Sequence, residues 1–322
     1  MNISSELYSA SQIAIRDCMG TKQHERILVV TDEPLRTLGY ALWKAAKDFD
    51  NEVLLAEILP RKSNGEEPPG EVAELMKKFD VVFCPTSTSL THTDARRTAS
   101  ALGVRIATLP GVTEEIMVRC MNADYHAIAQ RTYKLCDMLE KTSVIRVTSP
   151  AGTDITIPIK GRTAHASSGL FHEKGQSGNL PTGEAYLAPL EHQSNGIVVV
   201  DGSMAGVGIV QTPIRIVVKD GYAMEISGGK EAETLKKLLE PHGKDAYNVA
   251  EFGIGTNDKA TITGKIIEDE KVMGTIHIAF GDNKSMGGSV RVASHLDGLV
   301  KMPTVWFDEK QIMKDGQFTI EL

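Results

Sequence analysis

Between about Glu25 and Lys141, short β-branched runs alternate with stretches whose apolar positions recur every three or four residues. That is the pattern of βαβ units around a parallel sheet. Arg26 to Asp32 (RILVVTD) reads as a buried strand, and Pro34 opens a helix through Lys47 at a position where its missing N–H is no loss. Glu52 to Leu59 is the next strand, Pro60 to Gly70 a loop rich in charge, glycine and proline, and Glu71 to Phe79 a helix. DVVFCPTSTS begins with a third strand, His92 to Gly103 is a helix closed by glycine, and RIATLPG holds a fourth strand. Helices around Thr113 to Cys120 and Tyr125 to Glu140 complete the region, and MNISSELYSASQIAIRDCMG ahead of it patterns as an amphipathic helix.

From Val144 the period shortens to two. SVIRVTSPAGTDITIPIKG gives two alternating strands about a Pro-Ala-Gly-Thr turn, which puts a domain boundary near Thr142. VVVDGSMAG, RIVVKDGYAMEISGG and TITGKIIED read as antiparallel strands, and Lys230 to Leu239 as a helix. The expected architecture is an α/β N-terminal domain over residues 1–142, Rossmann-like with a parallel sheet and helices. It is followed by an α+β C-terminal domain over residues 143–322, rich in antiparallel strands.

Composition narrows the function classes. Of 322 residues, 41% are hydrophobic and 24% charged, the balance of a globular protein with room for two cores. Forty-two acidic against 35 basic residues give a net charge of −7, which argues against a nucleic-acid partner. No window approaches the roughly 18 uncharged apolar residues of a membrane span, and the N-terminus lacks the basic and apolar regions of a signal peptide. Cys18, Cys84, Cys120 and Cys136 are scattered without C-x-x-C spacing, as reduced structural thiols are. A cytoplasmic protein is expected.

The first domain carries neither G-x-G-x-x-G nor G-x-x-x-x-G-K-[ST] after its first strand, so the nucleotide fingerprints are absent. PTSTSLTHT (Pro85 to Thr93) clusters hydroxyls and His92 ahead of a helix start, either as a ligand contact or as caps and turn padding. The richer chemistry lies between Ala250 and Leu299, where Glu251, Glu270, His277, His295 and Asp297 stand in apolar, strand-like sequence. Buried carboxylates and imidazoles need partners, and a divalent metal satisfies several at once. His295 and Asp297 are two apart, hence on one face of a strand, where they form either a metal-binding pair or a hydrogen-bonded surface pair. His277, inside TIHIAF, is either core-satisfied or a ligand. In the acidic run Glu268 and Glu270 share one strand face, which a solvated hairpin turn would also explain. A glycine-rich loop from Gly161 to Pro189 offers His165, His172, Asn179 and Glu184 as substrate contacts.

AEFGIGTN, EDEK followed by HIAFGDN, SHLDG and the earlier NLPTGEAYLAP resemble the aminopeptidase T and S family of metallopeptidases, most closely its shorter members. The resemblance extends to THTDARRTASALGVRIATLPG and so covers most of the chain. It implies two divalent metals held by Glu251, Glu270, His277, His295 and Asp297. The family's catalytic tyrosine falls seven residues beyond the third-motif histidine, where this chain has Lys284. A related branch resembles 2,5-dihydroxypyridine dioxygenase, with one iron held by two histidines and a carboxylate. Glu251 stands where that branch's first histidine is expected.

The leading expectation is therefore a metal-dependent hydrolase, an aminopeptidase acting on a small peptide through a water activated by two zinc, cobalt or manganese ions. Glu268 is its general base and Lys284 its oxyanion donor. The alternatives are a one-ferrous-iron dioxygenase of a dihydroxypyridine-like ring using His277, His295 and Asp297, and a non-catalytic metal or small-molecule binding protein. Family analogy implies a homodimer without nucleic-acid or membrane partners.

Overall fold

The computed structural model describes residues 3–322. Met1 and Asn2, the start of the expected N-terminal helix, lie outside the described residues. The chain divides into two compact units, one formed by residues up to Ala129 with Gly169–Thr182, the other by Gln130–Ser168 with Gly183–Leu322. The division falls elsewhere than Thr142. The helix Tyr125–Glu140 continues into the second unit, where Leu135, Cys136 and Leu139 enter its core, and a piece of the long loop returns to the first.

The first unit holds a five-stranded parallel sheet in the order Glu52–Ile58, Arg26–Asp32, Val81–Cys84, Arg105–Thr108, Ser177–Asn179. Ile27, Leu28, Val29 and Val30 are fully buried, as an uninterrupted apolar run in a covered parallel strand should be. The helix Arg36–Asp48 packs on this strand at Gly39, where a Cβ would come within 2.7 Å of the Thr31 side chain. Pro34 lies in a short 3₁₀ turn, Glu33–Leu35, capped by the Asp32 carboxylate, and the α-helix starts only after it. The fifth strand, Ser177–Asn179, comes from what reads in sequence as a loop. Three residues are too few to show a period.

The second unit holds two antiparallel sheets. Eight strands run in the order Tyr222–Ser227, Ile214–Lys219, Asn195–Val200, Asp154–Pro158, Val144–Thr148, Thr304–Phe307, Lys310–Lys314, Gln317–Phe318. Seven run in the order Gly208–Ile209, Ser203–Met204, His295–Val300, Ile276–Gly281, Val249–Gly255, Glu184–Leu187, His165–Ser167. Inward residues of both sheets share one core, with Ile145, Val147, Ile155 and Ile216 from the first and Leu187, Phe252, Ile254, Ile278 and Phe280 from the second. TITGKIIED does not form the expected strand. Residues 261–265 are irregular and Ile266–Asp269 is a single helical turn, because the Glu268 and Asp269 carboxylates accept hydrogen bonds from Thr261, Thr263 and Gly264. Among the described residues, no helix is long and apolar enough to cross a membrane.

Candidate metal centre

Strand alternation builds the site. In the seven-stranded sheet Ala185, Leu187, Phe252, Ile254, Ile276, Ile278 and Phe280 point into the core. The period of two then turns Glu184, Tyr186, Glu251, Gly253, His277, His295 and Asp297 to the other face. Register gathers them. Gly253 sits opposite both His277 and Tyr186, Glu251 opposite Ala279, and Ala279 opposite Asp297. A Cβ on Gly253 would lie 2.1 Å from His277 Nε2, so glycine is what lets the imidazole lie across that strand.

Glu251 is the hub. Its Oε1 is 3.2 Å from His277 Nε2 and its Oε2 is 3.1 Å from His295 Nε2, which is itself 3.4 Å from Asp297 Oδ1. Glu184 Oε2 lies 3.5 Å from His277 Nε2. The donor atoms fall into three overlapping groups, each with all its atoms within 4.8 Å of one another. They are Glu184, Glu251 and His277; Glu251, His295 and Asp297; and Glu270, His277 and Asp297. His295 donates from Nδ1 to the Asp282 carbonyl at 2.7 Å, which fixes the ring and aims Nε2 at the two carboxylates, as metal-binding histidines are usually held. His277 Nδ1 and Glu184 Oε2 are buried without a hydrogen-bond partner. Nitrogen and oxygen donors with spare capacity in one buried cluster fit a first-row divalent ion.

Charge is unevenly spread across the cluster. Burial would raise the Glu251 carboxyl, but hydrogen bonds from His277 and His295 outweigh it and hold the group below the usual carboxylate range. Burial opposes protonation of His277, yet Glu251 and Glu184 push it up to about 9. His295 is also raised well above its ordinary value against the same opposition, by Asp297 and Glu251. Glu270 is pushed up to about 8, first by burial and then by Glu184 and Asp297, against Lys271. In the metal-free protein the raised imidazoles add stability that is complete below their ordinary value of 6.5 and lost as pH rises through the folded values. Between its ordinary 4.5 and about 8, Glu270 holds a proton in the folded state that the unfolded chain has released, so its contribution also falls with rising pH. Chelator-treated protein should therefore lose thermal stability from pH 6 to 9, measured by scanning calorimetry. A flat or rising profile would refute this charge assignment. Because a metal needs neutral imidazole, metal affinity should climb over the same range, by about tenfold per pH unit for each proton released.

The remaining expected site residues are dispersed. Glu268 is fully buried, but its carboxylate accepts from Thr261 and Thr263 and acts as a loop cap. Lys284 is exposed, in the 3₁₀ turn Lys284–Met286. His172 Nε2 donates to the Asp17 carbonyl at 2.7 Å, and the Asn179 carboxamide oxygen accepts from Thr91 and Thr108, all within the first unit. The helix start after PTSTSLTHT is filled by the chain itself, since Thr93 caps Arg96 and Glu67 accepts from the Asp94 and Ala95 amides. His165 stacks on Tyr186 at 5.3 Å between centroids. Glu184 joins the donor cluster itself. Sequence reasoning missed Lys271 and Tyr186. The available signal for Tyr186 was its spacing of two from Glu184, and Lys271, next to Glu270, read as part of a solvated charged run.

Comparison with known proteins places the chain. The model of the family NicX, described as 2,5-dihydroxypyridine 5,6-dioxygenase, matches residues 14–320. A 2,5-dihydroxypyridine 5,6-dioxygenase of Pseudomonas putida is 24% identical over 197 residues, 56% of this chain and 55% of the relative, so the alignment spans about half of that protein's length. The solved structure of the 2,5-dihydroxypyridine dioxygenase from Pseudomonas putida superposes with a TM-score of 0.85 at 18% identity, covering 99% of both chains. Wild-type AmpT from Thermus thermophilus superposes at 0.72 with 16% identity, covering 98% of this chain and 99% of that one, a likeness of fold alone. These findings overturn the expected metalloaminopeptidase, and with it the hydrolase and protease reading. Both groups share the fold, and the family match favours the other branch. The chain belongs to the NicX family, the 2,5-dihydroxypyridine 5,6-dioxygenases.

Proposed function

We propose that the protein is a ring-opening dioxygenase of a dihydroxylated pyridine, using a single ferrous ion held by Glu251, His295 and Asp297. The family match over residues 14–320, together with those three donors within 4.8 Å of one another, carries the reading. The set holds one histidine and two carboxylates. His277, expected from sequence as a second histidine ligand, instead joins groups with Glu251 and Glu184 and with Glu270 and Asp297. A ferrous ion would supply the one-electron and dioxygen chemistry that amino-acid side chains lack.

The chain's own groups supply the rest. Asp282 orients His295 through its carbonyl, and His277 orients Glu251 through Nε2. Tyr186, on the site face beside Gly253, offers with His165 a flat apolar wall suited to an aromatic ring. Burial, then Glu184 and Glu251, raise the Tyr186 phenol, so it stays protonated and can donate to a substrate oxygen. Among the described residues no cysteine forms a disulfide and all four are buried, which supports a reducing, cytoplasmic setting.

The test is anaerobic reconstitution with ferrous iron, then 2,5-dihydroxypyridine and measured oxygen. The proposal expects about one dioxygen consumed per ring lost, as a dioxygenase requires. Iron-loaded protein that leaves both the ring and the oxygen untouched would overturn it.

A further inference from the structure

The loop of residues 282–294 joins the strands Ile276–Gly281 and His295–Val300, which between them carry His277, His295 and Asp297. Two side chains from outside the loop hold it. Glu191 accepts from Asn283 Nδ2 at 3.0 Å and from the Ser289 amide at 2.7 Å, while Arg162 donates to the Gly287 carbonyl at 2.7 Å and pairs with Glu191. The Glu191 and Arg162 side chains are only 13% and 15% exposed, so the pair is largely out of water. Desolvation offsets much of the attraction in such a pair, and geometry rather than stability is then the gain to look for. We propose that Glu191 is a positioning residue that sets the orientation of the His295 imidazole through the Asp282–Asn283 peptide. This rests on the proposed metal centre at Glu251, His295 and Asp297.

The route runs through one planar group. Asn283 is fully buried, its side-chain oxygen accepts from the Val290 amide at 2.9 Å, its own amide donates to the Val290 carbonyl at 3.2 Å, and its carbonyl accepts from the Gly288 amide at 3.0 Å. Gly288 packs directly on it, since a Cβ there would lie 2.1 Å from the Asn283 side chain. The Asn283 N–H and the Asp282 C=O belong to the same rigid peptide plane, so holding the first aims the second. That carbonyl accepts the His295 Nδ1 hydrogen at 2.7 Å and leaves Nε2 facing Glu251 and Asp297. Burial would raise the Glu191 carboxyl, but the amides of Ser289 and of Glu191 itself, then Asn283 and Arg162, bring it down to about 2. The clamp therefore stays charged near neutral pH.

The experiment takes the full chain, chelator-treated and isotope-labelled at the histidine nitrogens, and reads the His295 Nδ1–H resonance, assigned by its loss in His295→Ala, beside zinc affinity by calorimetric titration. Wild type should show a slowly exchanging, hydrogen-bonded ring proton. Glu191→Ala should broaden or shift that resonance and weaken zinc binding by about 10–100-fold, the usual cost of losing the support behind a ligand. Glu191→Gln, whose amide oxygen can still accept from Asn283 and Ser289, should keep both. If the alanine variant does not fold, Glu191→Asp, which keeps the charge and withdraws the oxygens by one methylene, should give the alanine result. A folded alanine or aspartate variant with the wild-type resonance overturns the proposal whatever its zinc affinity, and so does a glutamine variant or a wild type without the ring proton. No zinc bound by folded wild type removes the metal centre, and the resonance alone then decides whether Glu191 sets the ring.

Discussion

Glu251→Ala is expected to abolish stoichiometric metal binding at concentrations that saturate the wild type. Its two carboxylate oxygens bridge the imidazoles, with 3.2 Å to His277 and 3.1 Å to His295. Losing it removes a donor from two of the three donor groups and leaves both rings without their shared acceptor. Metal affinity should fall by more than the roughly 10–100-fold that follows when only a ligand's supporting hydrogen bond is lost. Oxygen uptake should fall in parallel. The metal-free variant should also be destabilised, because breaking a buried charged pair costs about 3–5 kcal/mol. Near-unity metal content in the variant, by elemental analysis, would remove Glu251 from the centre.

Gly253→Ala should damage the site almost as much without touching a donor atom. The added methyl would sit 2.1 Å from His277 Nε2 and 2.2 Å from Cε1, both in a fully buried side chain. Either the ring turns out of its contacts with Glu251 and Glu184, or the strands Val249–Gly255 and Ile276–Gly281 separate. Overpacking of this kind costs about 1–3 kcal/mol, and a displaced His277 should lower turnover by about 10–100-fold. Calorimetry and steady-state oxygen uptake on one preparation check both effects. A variant with wild-type stability and rate would mean that His277 does not need its observed place.

How much was legible in the sequence varied with the length of the pattern. Long periodic runs such as RILVVTD and the helix Tyr125–Glu140 carry their own period, and both form where expected. Antiparallel strands joined by short turns, as in Ile214–Lys219 and Tyr222–Ser227, were equally plain. Short elements were not. Ser177–Asn179 shows no period, and in TITGKIIED side-chain capping by Glu268 and Asp269 wins over the β-branched composition. Alternation carried the site as well: polar residues at every second place in otherwise apolar strands brought Glu251, His277, His295 and Asp297 to one face. Lys271 escaped notice because an ammonium in an acidic run reads as solvated. Only the fold shows it buried between Glu184 and Glu270. The choice of reaction was beyond residue spacing, since one donor set on a shared fold suits hydrolysis and oxygenation alike.

Anaerobic crystals soaked in ferrous iron, with diffraction recorded on either side of the iron absorption edge, give the most direct view of the centre. One anomalous peak per chain, bounded by Glu251, His295 Nε2 and Asp297, is the result the proposed centre requires. A peak lying instead between Glu184 and Glu270, or no peak in fully soaked crystals, would contradict it.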